Sequence, residues 1–138
     1  MRIFVFLWLL LASPLALAGP IVSDVWGGAA KLVCNQINKA ARLYKQGDIK
    51  NAHLEAIMSY FKGYDASIEP AARTNLGAPH VFGIEQKFRD YATLMTSKMN
   101  TTQIKKVSDY AAKLCQSVNQ DAAALNAAKV DKQVFKVG

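Results

Sequence analysis

The spacing of its apolar residues constrains this chain more than any other feature. From about Val25 to Lys45 they fall at Ala29, Val33, Ile37, Ala40 and Tyr44. Steps of three and four residues mark one face of a helix. A second set runs Leu54, Ile57, Phe61, Tyr64 and Ile68, and a third Val81, Ile84, Phe88, Tyr91 and Met95. A fourth runs Ile104, Val107, Ala111, Leu114, Val118 and Leu125. No stretch alternates strictly, so no strand is expected.

The punctuation between these stripes agrees. Gly47 ends the first helix and Asp48 caps the second, its carboxylate accepting from unpaired backbone N–H groups. Pro70 has no N–H and crowds the carbonyl of Ala66, so the second helix kinks or ends there. Asn75, Gly77 and Pro79 mark a loop, with Pro79 suited to the first turn of the third helix. Asn100 or Thr101 is placed to cap the fourth helix, which frays near Lys129. Residues Val130 to Gly138 carry little apolar surface and read as a mobile tail. Four stripes with short connections predict an all-α fold, an antiparallel up-down four-helix bundle closing one core.

The N-terminus is different in kind. Arg2 precedes a dense apolar run from Ile3 to Leu11, Pro14 breaks it, and Ala16-Leu17-Ala18 has the small-x-small pattern of a cleavage site. The run is shorter than the roughly 20 residues a membrane span needs. Residues 1–18 therefore read as a cleaved signal peptide, with an uncleaved anchor as the alternative. Residues 19–138 read as one helical domain, periplasmic or secreted and not integral to the membrane. The chain is 51% apolar and carries a formal charge of +7, with lysines spread from Lys31 to Lys136. Half apolar content excludes a disordered chain. A scattered basic surface without interleaved aromatics argues against nucleic-acid binding and leaves anionic headgroups or an acidic partner open.

Cys34 and Cys115 are the only cysteines. An even count in an exported chain favours a disulfide. Both lie near the middle of their helices, the first and the last, whose midpoints coincide in an up-down bundle. A bridge there would stabilise the fold by a few kcal/mol. Two buried thiols or a metal pair are the alternatives. No C-x-x-C-H motif is present, which excludes ordinary covalent haem. Met58, Met95, Met99, His53 and His80 are the pieces from which non-covalent haem ligation would have to be assembled, and no spacing singles out a pair.

Asp65 and Glu69 are four residues apart and stack on one helical face. Each follows a core residue, at the border of the apolar stripe. Glu85 sits in the same way after Ile84 on the next helix. The three carboxylates can converge on one groove, and oxygen ligands of this kind suit iron, manganese or calcium. The competing reading is ion pairing: Glu85 with Arg89, and Asp65 or Glu69 with Arg73 or Arg89. No nucleophile is paired with a base and no Gly-rich phosphate loop occurs, so a non-enzymatic protein is expected.

The stretch Ala41 to Met95 resembles the extracytoplasmic helical domain of bacterial oxidase-dependent high-affinity iron permeases. The likeness lies in Tyr44-Lys45-Gln46-Gly47-Asp48, in Tyr60-Phe61-Lys62-Gly63-Tyr64-Asp65 with Ile68-Glu69-Pro70, and in Ile84-Glu85-Gln86-Lys87-Phe88-Arg89. The permeases' membrane helices and their Arg-Glu-x-x-Glu motifs have no counterpart in this sequence, and Asp65 stands where the family usually has Glu. The resemblance implies a free-standing soluble domain that presents or senses iron or docks onto a membrane iron transporter. Asp65, Glu69 and Glu85 would be its metal ligands. A disulfide-pinned module that binds an envelope protein without metal is the alternative.

Overall fold

The computed structural model describes residues 24–135, so the expected signal segment lies outside the described residues. Helix α1 spans Val25–Lys45, α2 Ile49–Met58, α3 Glu69–Asn75, α4 Ala78–Leu94 and α5 Thr101–Ala127. A π-helical segment, Ser59–Asp65, follows α2, and a 3-10 turn, Lys132–Phe135, ends the described chain. Among the described residues there is no strand, and no helix is long and apolar enough to cross a membrane.

The helix ends follow from local chemistry. Asp24, Asp48 and Asn100 each accept from a backbone N–H three residues on, at Gly27, Asn51 and Gln103. Each bond satisfies a donor that the first helical turn leaves unpaired. Gly47 and Gly77 have φ values of +87° and +93°, a region that costs glycine little and other residues more. They make the turns out of α1 and into α4.

Helix α1 packs most extensively on α5 and α2. It runs antiparallel to α5. Near its start, Asp24 Oδ1 accepts from Asn126 Nδ2 at 2.7 Å. Midway, Cys34 Sγ lies 3.7 Å from the Cys115 carbonyl oxygen and 3.8 Å from Asn119 Nδ2. The expected meeting of the two helix midpoints is thus present, with both cysteines as half-buried thiols. The neighbouring S–H of Cys115 lowers the Cys34 thiol, and burial opposes it; Asn119 adds a smaller lowering.

The stripes of α1, α4 and α5 are buried as expected, apart from the partly buried Ile104. The second stripe is not, and among the described residues five α-helices stand where four were expected. Leu54 and Phe61 were placed in the core but are 54% and 56% exposed. The buried line is instead Ala52, Ala56, Ser59, Gly63, Tyr64 and Ile68. The π segment supplies the reason. Its wider turn breaks the 3.6-residue phase, so a stripe extrapolated through it slips around the helix. The chain then breaks at Ile68, just ahead of Pro70 in the first turn of α3, where the missing N–H costs nothing.

Val130 and Phe135 pack partly buried against the core, and Trp26 Nε1 donates to the Val130 carbonyl at 2.9 Å. The segment through Phe135 is therefore tied to α1, by contacts that its composition did not announce.

Candidate functional site

The three carboxylates expected to act together come from three consecutive elements. Asp65 ends the π segment, Glu69 opens α3 and Glu85 lies in the middle of α4. The break before Pro70 and the short turn at Gly77 fold α3 back onto α4, which brings the acidic residues to one place.

They meet around an arginine. A single guanidinium nitrogen, Arg73 Nη2, donates to Glu69 Oε1 at 2.5 Å and to Glu85 Oε1 at 2.9 Å. Glu69 is only 7% exposed and its other oxygen accepts from the Tyr60 hydroxyl at 2.8 Å. Glu85 Oε2 lies 3.5 Å from Arg89 Nη1. Bonds of this charge-assisted kind are strong where they are shielded from water, as around Glu69. Asp65 is the exception and makes no ion pair among the described residues. Burial first, then the charges of Glu69 and Glu85, push its carboxyl up; Arg73 works the other way.

As placed, these residues do not fit a metal ion. Among the described residues no group of three or more His, Cys, Asp and Glu side chains could hold one. The donor chemistry explains why. The position between Glu69 and Glu85 where a cation belongs is taken by the Arg73 nitrogen, the ion pairing that the sequence left open. Two of the five candidate haem ligands are engaged or enclosed: His53 Nδ1 donates to the Ala92 carbonyl at 2.9 Å, and Met95 is fully buried.

The raised Asp65 carboxyl has a consequence for stability. The folded chain holds that proton more tightly than the unfolded chain, whose aspartates titrate near about 3.9. Stability therefore falls as pH rises from there through the folded value, and the ionised carboxylate is a burden above it. Asp65→Asn is expected to raise the urea midpoint at pH 7. The gain should disappear by about pH 2.5, where both states of the parent are protonated.

Next to this cluster a groove of about 160 Å³ opens between the π segment and α4. Ala56, Ile57, Tyr60, Phe61, Phe88 and Ala92 line it, and Glu85 and Arg89 border it. The two alanines leave the space that larger side chains would fill. Tyr60 packs against Phe61 and Phe88 with ring centroids 5.0 and 5.5 Å apart, which gives the groove an aromatic wall. Phe82, 62% exposed, lies under the Arg89 guanidinium at 5.5 Å. Aromatic side chains and an arginine around an apolar hollow are residue types enriched in protein-binding hot spots.

A second polar network was not foreseen. Asp121, 2% exposed, accepts from the Tyr64 hydroxyl at 2.6 Å and from His80 Nε2 at 2.7 Å. One signal for it lay in the sequence. Leu114, Val118, Asp121 and Leu125 follow the helical core spacing, with an acid in the third place.

Comparisons with protein-family models, with curated proteins and with solved structures return no match.

Proposed function

We propose that this chain is an exported, non-enzymatic helical module that binds an envelope protein through the groove between the π segment and α4. One observation carries the reading. Phe61 lines a preformed apolar hollow and Phe82 stands against Arg89 at its border, both more than half exposed, while the acidic residues beside it are held by Arg73 and Arg89. Exposed apolar surface gathered beside a hollow is characteristic of interaction sites. The π segment supports the same reading. It turns Phe61 outward, and such insertions occur frequently at functional sites. With α2, the π segment and α3 taken as one interrupted helix, the architecture is a four-helix bundle. A disulfide between Cys34 and Cys115 would pin its first helix to its last, and the contact of the two side chains across α1 and α5 supports the bridge.

The test is a photo-crosslinking amino acid placed at Phe61, at Phe82 and, on another helix, at Lys106, in the full chain in living cells. The reading expects one discrete envelope-protein adduct from the first two positions and none from the third. It also expects Phe61→Asp to remove the adduct formed from position 82. Equal labelling from all three positions would overturn it.

A second reading, a carboxylate site for iron or another hard cation in metal uptake, has one specific support. Among the described residues Asp65 has no cation within ion-pair distance, and the Arg73 side chain is 45% exposed, so it can swing away from Glu69 and Glu85.

A further inference from the structure

The buried Asp121 calls for a reason. An ionised carboxylate removed from water is costly unless it is paired and hydrogen-bonded. Asp121 obtains that compensation from the hydroxyl of the buried Tyr64 and from His80. His80 lies in the first turn of α4 and its side chain is 42% exposed. With Nε2 committed to Asp121, Nδ1 is the ring nitrogen left to a ligand. The network thus fixes an accessible imidazole against α5 at the expense of an apolar core position.

His80 borders a cleft of about 320 Å³ that Lys87, Ser117 and Gln120 also line. Lys87 Nζ donates to Ser117 Oγ at 2.9 Å, and the Ser117 hydroxyl donates to the Lys113 carbonyl at 3.2 Å. Among the described residues Lys87 has no carboxylate within ion-pair distance. Its ammonium group keeps further N–H donors to offer. Ser117 and Asp121 are one helical turn apart on α5, about 6 Å along the axis. The groups anchored on them, Lys87 and His80, are therefore held a short span apart at one cleft. Both oxygens of Asp121 are already taken, by Tyr64 and by His80.

We infer that the cleft between α4 and α5 is a binding site for a small oxyanion, with Lys87 and His80 as its donors and Asp121 holding His80 in place. The chemistry suits a phosphate group, either free in solution or carried by an anionic lipid headgroup. This site is separate from the groove beside the π segment and does not depend on what that groove binds.

The experiment is a calorimetric titration of the full chain with inorganic phosphate at low ionic strength. A sedimentation assay on phosphatidylglycerol vesicles runs beside it. One phosphate per chain is expected, weakened at least tenfold in Lys87→Gln and in His80→Gln and unchanged in Lys106→Gln. Vesicle binding lost in the same two variants, without binding of free phosphate, would make the headgroup the source of the anion. Because His80→Gln removes a partner of a buried carboxylate, circular dichroism checks its fold. If it unfolds, Lys87→Gln decides. Failure to bind either probe would overturn the inference, and so would equal weakening in Lys87→Gln and Lys106→Gln.

Discussion

Oxidation of the Cys34 and Cys115 thiols to a disulfide is expected to raise the unfolding free energy by about 4 kcal/mol. The two residues are 81 positions apart, so the closed loop takes in most of α1 through α5. Cross-linking so long a loop removes a large share of the unfolded chain's freedom, which is where a disulfide acts. Antiparallel packing of α1 and α5 already sets the two side chains together. The exchange chemistry is favourable too. Cys34 holds its proton less firmly than an ordinary thiol, and the thiolate is the attacking species. Urea denaturation with and without a reductant measures the effect. The Cys34→Ser and Cys115→Ser double variant should match the reduced parent and ignore the reductant. Identical midpoints for the oxidised and reduced parent would show that no bridge forms.

Trp26→Ala is expected to cost about 3–5 kcal/mol, the range for deleting a large buried aromatic side chain. Trp26 is 1% exposed and among the largest fully buried side chains. It also joins three parts of the chain. Its backbone N–H faces Asn126 Oδ1 at 3.4 Å, and its indole N–H donates to Val130 just past the end of α5. The substitution therefore opens a cavity and unties residues 130–135 together. Hydrogen exchange should show amides at the start of α1 and the end of α5 losing protection ahead of those in the middle of α4. Trp26→Phe, which keeps most of the apolar bulk but not the N–H, should lie between parent and alanine variant.

The first of these effects draws on the part of the molecule that was most legible in the sequence, whereas the burial of Trp26 and its bond to Val130 were not foreseen. The ends of α1, the caps at Asp48 and Asn100, and the buried faces of α4 and α5 follow from residue spacing and capping chemistry, and the structure has them there. The facing of Cys34 and Cys115 followed from topology. What spacing could not reveal is the π segment. One local change in helical pitch moves Leu54 and Phe61 outside and hands their place to Ala52, Ala56 and Ser59. Those residues are too small to announce a core. The groove exists because of that exchange, so it too was invisible. The acidic site was half legible. Position on the stripe border brought Glu69 and Glu85 together, and Arg73 was among their foreseeable partners. The sequence did not show that one nitrogen of Arg73 would serve both. Asp121 was missed for a simpler reason: its partners lie 57 and 41 residues away, and only folding places them.

The claim most open to direct refutation is that Arg73 closes the carboxylate cluster. Calorimetric titration of the chelator-stripped, oxidised protein with iron and with manganese tests it. A variant with Asp65, Glu69 and Glu85 changed to their amides is titrated alongside. The account predicts no saturable binding by the parent, because a metal ion would have to expel a guanidinium already shared by two carboxylates. Saturable binding that vanishes in the amide variant would contradict it and make the cluster a metal site.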